Sequence, residues 1–148
     1  MKIKVDKYSI NIRKATWDDY AYCYNLFKKN LKPIIEKHWV WVPGRFRRNF
    51  NPPKCRILEY NNKRSGFYQV PYENGIAYLE EMHVSTRLRG KGIGTKILML
   101  IESEARKRKC KIIRLQVFKE NPAKRLYEKL GYKIKKDIKS SVLMEKKI

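Results

Sequence analysis

The chain of 148 residues has no long apolar run. Its longest strongly apolar stretch is Ile97 to Ile101, far short of the roughly 20 residues that span a bilayer. Its first residues, Met-Lys-Ile-Lys-Val-Asp-Lys, hold no apolar segment of the kind a signal peptide needs, so a cytoplasmic location with no membrane partner is expected. Cysteine and histidine are scarce. Cys23, Cys55 and Cys110 are isolated and odd in number, no C-x-x-C pair exists, and the only histidines are His38 and His83. A disulfide framework and a metal site are therefore not expected, and each cysteine reads as a small buried apolar residue. Repeats, linkers and low-complexity segments are absent. The length fits a single domain over residues 1–148 with its own core, as a monomer or homodimer.

Acidic residues are also few, 14 against 36 basic ones, for a net charge of +22. Such a surplus suits a polyanionic partner such as nucleic acid. It equally follows from a lysine-rich composition that has to bind an anionic cofactor. The charge is spread along the chain rather than gathered in a tail, which favours the second reading.

Of seven glycines, three fall at 90, 92 and 94. They close the stretch Ile76–Thr95 on which the chain is organised. Ile76, Tyr78, Leu79, Met82 and Val84 predict a strand. A basic turn with Arg87, Arg89 and Lys91 follows. A helix then places Ile93, Ile97, Leu100, Ile101 and Ala105 on one face, with Lys96, Glu102 and Lys107 off it. Strand, glycine-rich turn and helix make an anion cradle. The first helical N–H groups lack partners, the helix dipole adds positive charge, and glycine lets the backbone approach.

The spacing excludes two familiar phosphate loops. Lys96 follows Gly94-Thr95, which is the wrong place for a P-loop. The dinucleotide fingerprint needs G-x-G-x-x-G and an acidic residue about 20 positions on, where this chain is basic around Lys111. What stands is Arg89-x-x-Gly92-x-Gly94. Downstream, Asn121-Pro-Ala-Lys-Arg-Leu-Tyr-Glu-Lys-Leu-Gly-Tyr132 supplies a second motif. The first resembles the coenzyme A loop of the GNAT N-acetyltransferase superfamily, [Arg/Gln]-x-x-Gly-x-[Gly/Ala]. The second resembles its Asn-x-x-Ala-x-x-Leu-Tyr-x-x-x-Gly-[Phe/Tyr] signature at Asn121, Ala123, Leu126, Tyr127, Gly131 and Tyr132. The resemblance is specific from about Leu79 to Tyr132 and topological before that. It implies an α+β fold, a mixed and mostly antiparallel sheet of 6–7 strands with splayed central strands, flanked by about four helices.

In chain order, Ser9–Lys14 predicts a first strand. Thr16 caps a helix whose face is Tyr20, Cys23 or Tyr24, Phe27 and Leu31, ended or kinked by Pro33, with a second helical piece from Pro33 to about Val40. Residues 39–53 read as an irregular, aromatic and arginine-rich segment. Cys55–Tyr60 and Gly66–Val70 form a hairpin about Asn61-Asn62-Lys63. Lys111–Val117 is a strand, Asn121 caps a helix with Pro122 at its first position, and Tyr132–Ile134 with Ser141–Glu145 close as a hairpin.

The resemblance implies acetyl-CoA as co-substrate and no metal. Pantetheine is expected to lie where the strand ending at Val84 and the strand Lys111–Val117 splay apart, bonding the backbone around Met82, His83 and Val84. The pyrophosphate is expected on Arg89, Gly90, Lys91, Gly92, Ile93, Gly94 and Thr95, with Lys124 or Arg125 reaching a phosphate, and the resemblance adds to the cap role of Asn121 a contact to the cofactor or an ordered water. Tyr127 matches the family tyrosine that protonates the leaving thiolate; helical spacing alone would equally make it a core residue. The oxyanion is expected at a backbone N–H near Met82 or His83. Glu80 and Glu81 point to opposite strand faces, Glu80 with Met82 and Val84, Glu81 with His83. Glu81 or His83 is the preferred base, and a bulge would favour Glu80. No cysteine lies in either motif, so transfer is expected to be direct. The acceptor is a primary amine, with a protein or peptide favoured because +22 repels cationic acceptors. The rival is a non-catalytic acyl-CoA-sensing or nucleic-acid-associated protein of the same fold.

Overall fold

The computed structural model describes residues 1–148. In chain order the strands are β1 (Lys2–Val5), β2 (Tyr8–Lys14), β3 (Cys55–Tyr60), β4 (Lys63–Gln69), β5 (Tyr72–Glu73), β6 (Ile76–Leu79), β7 (Glu81–Val84), β8 (Ile112–Phe118), β9 (Lys133–Asp137) and β10 (Ser141–Lys147). The helices are α1 (Tyr20–Ile35), α2 (Pro43–Asn49), α3 (Ile93–Lys107) and α4 (Ala123–Lys129). No helix is long and apolar enough to cross a membrane. The chain forms two compact units, Met1–Gln69 with Glu81–Gly94, and Val70–Glu80 with Thr95–Ile148.

The first unit is an antiparallel sheet in the order β1-β2-β3-β4-β7. β1 precedes the strand predicted at Ser9–Lys14 and pairs back onto it. Asn61 and Asn62 both take left-handed φ, 52° and 61°, the two-residue turn that suits the twist of the β3–β4 hairpin. The core gathers Ala15, Cys23, Leu26, Phe46, Phe50, Cys55, Ile57 and Phe67. Tyr20, Tyr24 and Phe27 pack against it half-buried. Thr16 caps the entry to α1 through a single 3₁₀ turn, Trp17–Asp19, with a reciprocal capping box between Thr16 and Asp19.

Two expectations about this unit are corrected. The helix expected to end or kink at Pro33 does not end there, and the second helical piece expected from Pro33 to about Val40 is not a separate helix. α1 runs to Ile35, and the Glu36 N–H donates to the Lys32 carbonyl (2.9 Å) beyond the proline. A proline in the last helical turn removes a single donor, and here the ladder resumes past it. The segment 39–53 is not irregular throughout. Pro43 starts α2 rather than preventing a helix, because its missing N–H is unpaired at a helix start anyway. Phe46 and Phe50 are thereby buried, while Trp39 stays 51% exposed.

The second unit is the sheet β5-β6-β8-β10-β9, antiparallel except for the parallel pair β6–β8. Ile113, Leu115 and Val117 are buried as their alternation predicts. On α3, Ile97, Leu98, Ile101 and Ala105 are buried, but Leu100 is only half so. Glu102, expected off the buried face, is buried too. It accepts from Tyr132 Oη (3.1 Å) and from Lys146 Nζ (3.0 Å). A lone buried carboxylate would cost several kcal/mol, on the order of the effective penalty per ion; the ammonium and phenol offset that cost. Periodicity alone registers a glutamate as polar and cannot see such partners.

The strand predicted from Ile76 to Val84 is interrupted at Glu80. β6 ends at Leu79 and pairs in the second sheet; β7 begins at Glu81 and pairs in the first.

Candidate active site

β7 is the edge strand of its sheet. The Ser85 N–H donates to the Ser65 carbonyl at 2.9 Å. With the register Phe67↔His83 and Gln69↔Glu81, the period of two turns the backbone groups of His83 and Glu81 toward β4. Those of Met82 and Val84 turn to the outer edge. Of the two N–H groups considered for an oxyanion, the Met82 N–H is therefore on the open edge and that of His83 faces β4.

The glycine-rich turn leaves β7 through a 3₁₀ turn, Thr86–Leu88. The Arg89 N–H closes that turn on the Thr86 carbonyl (3.2 Å), so it is not among the N–H groups that could hold an anion. Gly90 and Gly92 take φ of 71° and 79°, left-handed values that favour glycine. Lys91 is exposed, and α3 begins at Ile93, followed by Gly94 and Thr95. This local arrangement fits an anionic phosphate: free first-turn donors, a backbone without Cβ obstruction and a lysine alongside. The Arg89 guanidinium is directed elsewhere, donating to the Val84 carbonyl (3.2 Å) and to Asn30 Oδ1 (2.6 Å).

Glu81 and His83 share a strand face and meet: Nε2 of the imidazole lies 2.7 Å from Glu81 Oε1. His83 is buried, its ring stacked on Phe67 (centroids 5.1 Å apart, 30° between planes) and edge-on to Phe27. Its other nitrogen, Nδ1, lies 3.1 Å from Asn30 Nδ2. The Glu81 side chain is 20% exposed. This unit thus brings together Glu81, His83, Val84 and Arg89, and adds Asn30, which no sequence pattern marked. Asn30 lies on α1, some fifty residues before the strand it serves.

Within the second unit, Asn121 Oδ1 accepts from the Ala123 N–H (3.0 Å), so its side chain caps α4 although Pro122 stands nearest the helix. Lys124 Nζ pairs with Glu128 Oε1 at 3.0 Å, the expected i,i+4 contact. Tyr127 is buried, its ring 5.8 Å from that of Tyr132. Burial, reinforced by the Glu102 carboxylate, drives the Tyr132 phenol far above its usual range. Glu80 is exposed at the break between β6 and β7.

Residues 15–132 match the Acetyltransferase (GNAT) family. A spermine/spermidine N(1)-acetyltransferase of Bacillus subtilis (strain 168) is 32% identical over 135 residues, covering 84% of this chain and 88% of the relative. An uncharacterized N-acetyltransferase of Methanocaldococcus jannaschii is 26% identical over 148 residues, covering 93% of this chain and 66% of the relative. Among solved structures, the PaiA N-acetyltransferase from Thermoplasma acidophilum in complex with coenzyme A superposes with a TM-score of 0.78 at 20% identity, over 94% of this chain and 99% of that one. The ribosomal-protein-S18-alanine N-acetyltransferase from Escherichia coli gives 0.74 at 20% identity, over 94% of each chain. At that identity the structural likeness speaks for the fold. The family match and the sequence relatives speak for descent, and together they make this chain a member of the GNAT family of acetyltransferases.

Proposed function

We propose that the protein transfers the acetyl group of acetyl-CoA to a primary amine by direct attack, with Glu81 as the base and Tyr127 as the acid. The observation that carries this reading is the Glu81–His83 contact on an edge strand whose outward backbone belongs to Met82 and Val84. In this scheme pantetheine adds to that edge, and Met82 N–H serves the oxyanion. The pyrophosphate takes the donors of Gly90 to Thr95 with Lys91. Asn121 and Lys124 are kept as cofactor contacts on the strength of the second motif.

The ammonium form of the acceptor gives one proton to Glu81. The free amine attacks the thioester carbonyl, forming the C–N bond. As the C–S bond breaks, the thiolate takes the Tyr127 proton, and the second amine proton restores the phenol. The products are an acetamide, the coenzyme A thiol and one proton released from Glu81 to solvent. A phenol titrates near 10 and a thiol near 8.5, so tyrosine holds a proton to give.

For the acceptor, the named Bacillus subtilis relative favours a polyamine such as spermidine. The net charge of +22 favours an acidic peptide or protein amine instead. Thiol release measured with spermidine, spermine and acidic-sequence peptides in parallel decides between them. Turnover on polyamines alone establishes the small-molecule reading, and turnover on peptides alone establishes the other. Acetyl-CoA binding without turnover on any amine would overturn the enzyme assignment in favour of an acyl-CoA sensor.

A further inference from the structure

We propose that Asn30 is a positioning residue that fixes the tautomer of His83 and, through it, holds Glu81. The inference rests on Glu81 being the base proposed above, and it follows from which groups are able to donate. Arginine has only donors. Arg89 Nη2 lies 2.6 Å from Asn30 Oδ1, so that atom is an acceptor and the amide orientation is settled. The amide nitrogen, Nδ2, is a donor, and it faces His83 Nδ1 at 3.1 Å. Nδ1 must then accept, which leaves the ring hydrogen on Nε2. Nε2 faces Glu81 Oε1 at 2.7 Å and donates to it. The direction of every bond, Arg89 to Asn30 to His83 to Glu81, is set by the first. The opposite tautomer would oppose two donors at Nδ1 and two acceptors at Nε2.

Packing removes the other freedom of the ring. Phe67 and Phe27 hold its plane, and a half-turn within that plane would take both ring nitrogens away from Asn30 and Glu81. One oxygen of Glu81 is thereby occupied by a fixed donor, and the second is left for an amine proton. The same arginine also donates to the Val84 carbonyl, so one side chain ties α1, the edge strand and the glycine-rich turn to the base.

Asn30→Asp tests the idea, because the new side chain still accepts from Arg89 but has no donor for Nδ1. The readout is the ring-nitrogen tautomer, from long-range proton–nitrogen correlation spectra on protein with labelled histidine, above the histidine titration range. With two histidines in the chain, a His38→Gln spectrum assigns the signals. The wild type is expected to carry a single hydrogen, on Nε2, and Asn30→Asp, which sets a carboxylate at each ring nitrogen, to carry a hydrogen on Nδ1 as well. Turnover of Asn30→Asp should fall about tenfold with the KM for acetyl-CoA kept, because a positively charged ring beside Glu81 makes it a weaker base. An Nδ1 that stays free of hydrogen in Asn30→Asp overturns the relay. A hydrogen gained on Nδ1 with unchanged turnover, while Glu81→Gln is inactive, overturns the positioning role and leaves Glu81 standing. Full activity of Glu81→Gln overturns the base itself, and the tautomer still decides the relay independently.

Discussion

His83 and Glu81 stand two residues apart on β7, and their side chains meet at 2.7 Å. The period of a strand puts them on one face, and the register with Phe67 and Gln69 keeps that face toward the first unit's core. Glu80, its neighbour, lies outside the strand. Glu81→Gln is therefore expected to lower kcat by about two orders of magnitude or more, the usual contribution of a positioned base. Calorimetry should find acetyl-CoA affinity unchanged. The matching Glu80→Gln variant should retain turnover; the reverse pattern would transfer the role to Glu80.

Tyr127→Phe keeps the buried ring and removes the hydroxyl. Turnover should fall by about tenfold to a hundredfold, within the range for a general acid, with cofactor affinity preserved. Thiol-release kinetics beside a binding isotherm make the comparison. Turnover equal to wild type would return Tyr127 to a packing role.

Gly92 separates the phosphate cradle from the fold. A Cβ there meets nothing nearer than Val5 Cγ1 at 3.7 Å, so the space exists, but φ is +79°. Gly92→Ala should cost about 1–2 kcal/mol in left-handed strain and still bind acetyl-CoA. Gly92→Asp should carry a similar thermal shift and lose binding, because it adds negative charge at the phosphate. Equal binding by both variants would show that the cradle lies elsewhere.

Gly66 makes a different demand. It lies opposite Val84, and a Cβ on it would stand 2.5 Å from the His83 carbonyl oxygen and 3.2 Å from Val84 Cα. Both are backbone atoms, so β7 itself would have to move. Gly66→Ala should destabilise by about 1–3 kcal/mol, as overpacking does, seen as a lowered Tm. Turnover should fall as well, since the displaced strand carries Glu81.

Asp19 links the first unit to pH. The Arg13 guanidinium, aided by the Thr16 N–H and Arg64, pulls its carboxyl down to about 2. A lowered folded-state value adds stability that is complete above the unfolded value, near 4, and is lost as pH falls through about 2. The contribution is roughly 2 kcal/mol, at about 1.4 kcal/mol per unit. Asp19→Asn should lower Tm at neutral pH and flatten the acid limb between about pH 4 and 2. A parallel limb in wild type and variant would contradict this.

Much of the fold was legible because it rests on local rules. Alternation at Ile113, Leu115 and Val117 marked β8, the two motifs marked the turn before α3 and the start of α4, and the asparagine pair marked the β3–β4 turn. The failures have different causes. Pro43 opened α2 by a local rule that an aromatic, arginine-rich segment concealed. Pro33 stayed within α1 against its local preference, and Glu102 was buried because Lys146 and Tyr132, more than 25 residues away in sequence, reached it.

The sequence by itself determined the family, through two spaced motifs, and the candidate loop, because glycine, basic charge and a helix start are written consecutively. It also determined that Glu81 and His83 share a face. The tertiary structure alone decided that the predicted strand breaks at Glu80, since only pairing partners assign β6 and β7 to different sheets. It alone brought Asn30 from α1 to His83 and Arg89. A hydrogen-bond chain between residues 30, 83 and 89 has no period and no spacing. It exists because packing closes the distance and because each donor leaves its neighbour one role to play.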